Sequence, residues 1–528
     1  MDSLIIHGHF YQPPRENPWT GMIDAEPGAQ PFHDWNERIH AECYKPNSLA
    51  RVVDASTGAE RVVNNYAHIS FDFGPTLLAW LEKQHFETYM RIIGADAESA
   101  EQRGGHGNAI AQAYNHTILP LSNERDRRTQ VRWGLADFVH RFARKPEAMW
   151  LPETACNDDV LGLLIDEGMR FVILAAQQAS RVRTRTPANA EVQASGPAGD
   201  GWQTVSAGSN ASIDTSLAYR YLHCDGSGRS IAVFFYDQDL ARAIAFERAL
   251  DSSASLVDVF AQAAALDRRS GSLVNVATDG ESYGHHHKFG ELCLAYAMEV
   301  EARERGFAAT NYGEYLDRYP AVAEVEINNG AESEGSSWSC IHGVSRWIRD
   351  CGCQTGGDPL WNQAWRQPLR AALDILRDEA AQYFEATRGT FFRDPWEARD
   401  NSIELILDQE KSRKEFLHRH APRELRRTEQ QRALTFLELQ RNTLLMYTSC
   451  GWFFSDISGI EPVQILKYAC RAIELMDQLG LPSPREQFLG ILAMAKSNRP
   501  ELGTGADIYR RLVEPLRDQR ESNEVLVT

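Results

Sequence analysis

The feature that most constrains this chain is a recurring one: a short apolar run that stops abruptly at acids or imidazoles. Residues 272–291 read SLVNVATDGESYGHHHKFGE. Residues 273–277 have the continuous apolar character of a parallel strand buried on both faces. Asp279, Gly280 and Glu281 follow at once, then His285, His286 and His287. Alone, such a stretch reads as a polar loop closing a strand. A second one, residues 148–154 (AMWLPET), ends another apolar run in Glu153. Residues 160–168 then carry helical spacing and a terminal glycine, a common helix stop, and residues 171–175 are apolar again. Strand, acid, helix, strand is the order of a βαβ unit. It predicts a parallel sheet with its chemistry at the carboxyl ends of the strands.

The rest of the chain extends the pattern. Residues 4–6 form a first strand that delivers His7, His9 and Gln12 before Pro13 and Pro14 stop it. His7 and His9 alternate, so on a strand they share one face; either both meet one ligand, or neighbours satisfy them. Residues 69–73 and 231–236 read as further strands. Residues 15–65 form an excursion over the sheet's mouth, with Trp19 and Trp35 as lid candidates. His116 sits in a polar patch and reads equally as a site residue or a solvated loop histidine. Residues 181–212 read as an insertion or loop. From about residue 305 the texture becomes helical, with stripes at Leu369, Leu373, Leu376 and Ala380, and at Leu434, Leu437, Arg441 and Leu444. The expected organisation is an α/β domain over residues 1–305 and a helical domain over 306–528 that completes the substrate cleft.

Composition narrows the partners. A net charge of −18 argues against nucleic acid and against an anionic membrane surface, both of which need clustered cations. A neutral glycan would be indifferent to it. Twelve tryptophans suit sugar faces, though indoles also fill cores. Nine cysteines scattered through a long chain are no disulfide framework. No leader and no membrane span is expected, so a cytoplasmic protein is read. Oligomeric state is not encoded in any of these features.

Two strand-end carboxylates far apart in sequence are what glycoside cleavage needs, one protonated and one ionised. Glu153 follows an apolar run and Pro152, which predicts a rigid, semi-buried position. Asp279 has Glu281 two residues on, and neighbouring carboxylates raise each other's pKa; Glu281 is either that tuner or a helix-start charge.

The motifs HGHFYQPP, MWLPETA and ATDGESYGHHHKFGE resemble the signature regions of glycoside hydrolase family 57. The tail resembles an uncharacterised helical family that accompanies one of its subgroups. The resemblance implies a (β/α)7 pseudo-TIM barrel followed by a mainly helical domain, and a retaining mechanism on α-glucan-type substrates. It implies Glu153 as nucleophile and Asp279 as general acid/base. His7 and His9 correspond to histidines that hold the sugar, and Trp150 to a subsite residue. SSWSCIHGVSRW implies stacking by Trp338 and Trp347, and residues 448–461 bring in Trp452 and Asp456. His285 to His287 stand where many family members carry aromatics, so the sugar platform here differs.

Two other readings fit parts of the pattern. His7, His9, His116, Asp279 and His285 to His287 could serve a metal-dependent carbohydrate deacetylase. A glycan-binding protein on a glycosidase scaffold would have lost the carboxylates, which this chain keeps. Cys340, His342, Cys351 and Cys353 mimic a zinc site, but C-x-H followed by C-x-C is not the usual spacing, and buried thiols are the default. No nucleotide motif is found, and no metal or cofactor is expected for the reaction.

Overall fold

The computed structural model describes residues 2–54, 56–184, 201–205, 213–265, 272–408 and 412–517. Seven parallel strands form a ring: β1 (Asp2–Phe10), β2 (Ser70–Phe73), β3 (Ala111–Gln112), β4 (Met149–Trp150), β5 (Phe171–Ala175), β6 (Ser230–Tyr236) and β7 (Leu273–Asp279). β1 lies between β7 and β2. A parallel bridge from Phe71 to Ala109 leads to β3, which pairs with β4. A second bridge, Ala148 to Phe171, leads to β5, which pairs with β6. The ring closes where the Asp237 amide donates to the Asn275 carbonyl at 2.8 Å and Asn275 Nδ2 donates to the Phe235 carbonyl at 3.0 Å. Closure leaves no unpaired strand edge in the ring and gives the expected (β/α)7 barrel.

Ile5, Trp150, Ile173, Phe234, Leu273 and Tyr312 belong to one buried cluster of this unit. Local chemistry turns strands into helices at the strand ends. Pro75 occupies the first turn of helix Pro75–Gln84, where a missing N–H costs nothing. Asn157 caps Asp158–Asp166 by accepting from the Val160 amide, and Asp237 caps Gln238–Phe246 through the Asp239 and Leu240 amides. Each cap satisfies helix N–H groups that have no partner within the helix.

The sequence pattern located six of the seven barrel strands. β3 escaped it because it is two residues long and sits in a Gly-, Asn- and His-rich stretch with no apolar run. The barrel unit also runs past the expected boundary, ending at Ser339. Phe307–Ala309 pairs with β1. Ala323–Ile327 joins a side sheet with Ala218–Leu222 and Ala179–Thr184, and Ala218–Leu222 continues it antiparallel onto β6. Pairing across the sheet, not local texture, sets that limit. Of the expected insertion, 185–200 and 206–212 lie outside the described residues.

The second compact unit comprises Pro13–Asp24, Tyr114–Asp137 and Cys340–Thr528. Trp19 therefore belongs to it, with its indole N–H donating to Glu474 Oε2 at 2.7 Å. Helices Arg366–Glu385, Arg427–Leu445 and Ile460–Gln478 pack together. Leu369, Leu373, Leu376 and Ala380 are all buried on the first, as their spacing predicts. On the second the buried face is Ala433, Phe436, Leu437, Gln440 and Leu444, while Arg441 is exposed. Its stripe thus runs beside the expected one. Among the described residues no helix is long and apolar enough to cross a membrane.

Candidate active site

Parallel register builds the site. His9 pairs with Asp279 of β7 on one side and with Asp72 of β2 on the other, which places the three side chains in one layer at the strand ends. Asp72 is wholly buried and answers both histidines. His7 Nε2 lies 3.0 Å from Asp72 Oδ1, and His9 Nδ1 lies 2.9 Å from Oδ2. His7 Nδ1 is 3.0 Å from Ser70 Oγ. Burial lowers the pKa of His7, against the pull of Asp72. A neutral His7 therefore presents Nε2–H to the carboxylate and accepts the Ser70 hydroxyl at Nδ1. Burial also opposes a charge on His9, but Asp72, joined by Asp279 and Glu281, outweighs it and raises that pKa to about 9. His9 is thus a cation at neutral pH. Trp150 stacks on both imidazoles, at 4.8 Å from His7 and 4.9 Å from His9, an arrangement that favours the charge on His9. Trp150 is 1% exposed, so its face serves the histidines.

Glu153 stands in a short turn, Pro152–Thr154, directly after β4. Its φ is +59° and that of Thr154 is +50°. Such conformations cost a non-glycine residue about 1–3 kcal/mol and persist only where the surroundings enforce them. Here Gln178, wholly buried beyond β5, does so. Its Oε1 accepts from Thr154 Oγ1 at 2.8 Å and its Nε2 donates to the Thr154 carbonyl at 2.7 Å. The Glu153 carboxylate is held on one oxygen. Trp338 Nε1 donates to Oε2 at 3.0 Å and Ser339 Oγ donates to it at 2.6 Å. Both donors lie on Oε2.

Asp279 is reachable by solvent at the end of β7. Protein crowds its inner side, and the resulting loss of solvation raises its pKa to about 6, with Glu153 and Asp72 adding to the rise and His9 opposing it. Gly280 follows because a Cβ there would lie 2.3 Å from the Phe10 ring. Glu281 then turns inward. Tyr44 Oη donates to its Oε1 at 2.6 Å and the Tyr11 amide donates to the same oxygen at 3.1 Å. Burial, with the charge of Asp279, raises the Glu281 pKa to about 7. Glu281, in the first turn of the short helix Gly280–Ser282, is therefore also a buried carboxyl whose pKa the charge of Asp279 helps to raise.

The remaining candidates separate. Gln12 is half-buried just beyond β1. His285 turns its ring to Glu42, with Nδ1 at 2.5 Å from Oε2 and Trp35 edge-on. His116, Trp347, Trp452 and Asp456 lie in the second unit. His116 is buried, with Nδ1 2.6 Å from Ser449 Oγ, so it is not a solvated loop residue. Trp347 and Trp452 are wholly buried, their N–H groups donating to the carbonyls of Ser449 and Arg366; neither presents an open indole face for stacking. Asp456 accepts from Ser458, Ser497 and the Asn498 amide, which is the work of a loop anchor. Asp72, Tyr44, Gln178 and Ser339 are the side chains the sequence reading missed. A lone acid inside the apolar run SFDF was the available signal for Asp72; nothing local marks Gln178.

A closed (β/α)7 barrel with carboxyl groups gathered at its strand ends is the arrangement of an α/β-barrel enzyme. The chain belongs to glycosyl hydrolase family 57, whose model matches residues 33–328, more than half of its length. Residues 361–523 match a domain of unknown function, DUF3536. Among solved structures the fold is similar to an exo-type maltose-forming amylase from Pyrococcus sp. ST04, at 16% identity over 93% of this chain and 82% of that one, TM-score 0.66. It is also similar to a branching enzyme from Pyrococcus horikoshii, at 14% identity over 96% of each chain, TM-score 0.56. A 4-alpha-glucanotransferase from Thermococcus litoralis matches at 12% identity over 90% of this chain and 60% of that one, TM-score 0.50. At these identities the likeness is one of fold. Comparison with curated protein sequences finds no match.

Proposed function

We propose that this enzyme is a retaining glycoside hydrolase or transglycosylase acting on α-linked glucans or oligosaccharides by double displacement, with Glu153 as nucleophile and Asp279 as acid/base. The observation that carries the reading is electrostatic and geometric together. Asp279 feels the charge of Glu153 strongly enough to raise its pKa, and Glu153 is clamped by two donors on a single oxygen. In the first step Glu153 Oε1 attacks the anomeric carbon while the glycosidic C–O bond breaks. The Asp279 proton passes to the departing oxygen. In the second step the Asp279 carboxylate takes a proton from water or a sugar hydroxyl, whose oxygen then displaces Glu153. A pKa near 6 lets one group serve in both directions. His9, cationic beside this pair, balances the negative charge that the carboxylates bring together.

The α-glucan assignment is supported by the family and by the reactions named for the three similar structures. Maltose formation, branching and glucan transfer differ in the acceptor, water or a sugar hydroxyl. The nine cysteines, none paired as a disulfide, support a cytoplasmic location. The metal-dependent deacetylase reading loses ground because His7 and His9 are engaged with Asp72 and Ser70. Among the described residues, metal-type donors converge elsewhere, at Glu37–His40–His85 and at Cys340–His342–Cys351–Cys353.

The test is product analysis on amylose and maltooligosaccharides, with anomer configuration followed by proton NMR. Retained α-products, abolished in a folded Glu153→Gln protein, are expected. An inverted anomer, or an active Glu153→Gln protein, would overturn the double displacement through Glu153.

A further inference from the structure

The longest segment of the second unit, Cys340–Thr528, begins with a loop in which three thiols and one imidazole converge. Cys340 Sγ lies 3.9 Å from Cys351 Sγ and 3.9 Å from Cys353 Sγ, and Cys353 Sγ lies 3.5 Å from His342 Nδ1. The four donor atoms all fall within 4.8 Å of one another. A disulfide has its sulfurs at about 2.05 Å, so none of these is one. A tetrahedral zinc with Zn–S near 2.3 Å and Zn–N near 2.0–2.1 Å requires S···S edges of about 3.8 Å and S···N edges of about 3.5 Å. The three observed edges match.

The backbone is shaped for the same end. Gly352, between Cys351 and Cys353, has a φ of +78°, a conformation that turns the chain tightly enough for flanking sulfurs to meet. Gly343, directly after His342, has a φ of +76°. The amides of His342 and Arg346 donate to the Cys340 sulfur, and the Cys353 amide donates to that of Cys351. Amide donors of this kind steady thiolates that bind metal.

Charge supplies an independent argument. Arg346 and Arg366 are both buried. Arg366 Nη1 donates to the Cys353 carbonyl at 2.9 Å, Arg346 Nη1 donates to Thr355 Oγ1 at 3.2 Å, and the Nε of each has no partner. Among the described residues neither forms an ion pair with a carboxylate, and buried cations without a counter-charge are costly. Three thiolates and a neutral imidazole around one Zn²⁺ carry a net negative charge, which adds to the more distant Asp350 in offsetting these guanidiniums.

We propose that Cys340, His342, Cys351 and Cys353 form a closed structural zinc site. Zinc follows from the donor set, since thiolate with imidazole in a tetrahedron selects it over the hard, oxygen-seeking cations. Four protein ligands leave no open position for catalysis, so the metal ties the two arms of this loop together. Cys340 is the next residue in the chain after Trp338 and Ser339, the donors to Glu153.

Metal content of the full chain, purified under reducing conditions, tests this directly and does not depend on the glycosidase reading. One zinc per chain is expected, retained in Cys224→Ser and lost in the double variant Cys351→Ser/Cys353→Ser. Cobalt(II) uptake by the wild-type chain should give the intense charge-transfer absorption of several thiolate ligands, a readout that holds even where the double variant fails to fold. A reduced chain that carries no zinc and takes up neither zinc nor cobalt would overturn the proposal. So would zinc retained by a folded double variant, which would place the metal elsewhere, at Glu37, His40 and His85 among other positions. A disulfide among the three cysteines of freshly purified protein would overturn it too.

Discussion

Asp72 and His9 stand in register on neighbouring parallel strands, with His9 Nδ1 2.9 Å from Asp72 Oδ2. The pair sets the charge of the layer that holds Asp279. Replacing Asp72 by Asn removes the largest counter-charge and leaves burial opposed only by Asp279 and Glu281, so the His9 pKa should fall from about 9. A histidine with a raised pKa contributes stability that is complete below about 6.5 and is lost as pH rises through about 9. Wild-type melting temperature should therefore decline over that interval, and the Asp72→Asn protein should show a smaller decline. Its kcat at neutral pH should drop about 10²-fold, the scale of losing one oriented electrostatic group. Melting curves from pH 6 to pH 10 and a rate assay decide both points.

The pH–rate profile should fall on its alkaline side through the Asp279–Glu281 pair. A general acid must be protonated to act, and the two carboxyls titrate near 6 and 7. Because the groups interact, the limb reports apparent values of the pair. Activity in kcat/KM is expected to decline as pH rises beyond about 6 to 7. In Glu281→Gln the upper step, near 7, should be lost, leaving a limb set by Asp279 near 6. An unmoved limb would separate Glu281 from the acid/base.

Stability gives Glu281 a second signature. Its folded pKa, about 7, lies above the ordinary 4.5. The associated stability is complete below 4.5 and is lost as pH rises through 7. Glu281→Gln carries no such titration. Its melting temperature relative to wild type should rise steadily between pH 4.5 and pH 8, whatever the fixed cost of the lost Tyr44 contact.

Trp338 and Ser339 both donate to Glu153 Oε2. If Glu153 is the nucleophile as proposed, Trp338→Phe and Ser339→Ala should each lower kcat with a smaller effect on KM, because both side chains orient its carboxylate. Sharing one acceptor makes them non-additive: a double-mutant cycle should show a coupling of about 0.5–3 kcal/mol. Strict additivity would mean that they act on separate targets.

Gln178 holds the left-handed turn at Thr154 from both sides. Gln178→Ala should cost about 1–3 kcal/mol, the penalty of stranding buried polar groups, measurable by urea unfolding. The released turn should also lower kcat, while Gln178→Glu, which keeps the acceptor but not the donor, should recover part of the rate.

Local sequence was enough for the strands that end in chemistry, because an apolar run followed by acids or histidines is visible without any partner. β1, β5 and β7, the strand-end positions of Glu153 and Asp279, and the shared face of His7 and His9 are all of this kind. The helical tail was equally legible from its 3.6-residue spacing on Arg366–Glu385. What sequence could not show depends on residues far apart being brought into register. β3 exists only because Phe71 and Trp150 lie on either side of it, and the barrel unit extends to Ser339 only because later strands find earlier ones. Asp72 became part of the site through its place beside His9, and Glu281 became a titrating partner through Tyr44 and Asp279. The family resemblance implied a stacking role for Trp347 and a place in the cleft for Trp452, and packing put both inside. The same convergence brought the donor atoms of Cys340, His342, Cys351 and Cys353 within 4.8 Å of one another, where sequence offered only an unusual spacing. Residue type and periodicity decide which groups a chain can offer at a strand end. Distance, register and burial, which only the tertiary structure sets, decide which of them share a charge.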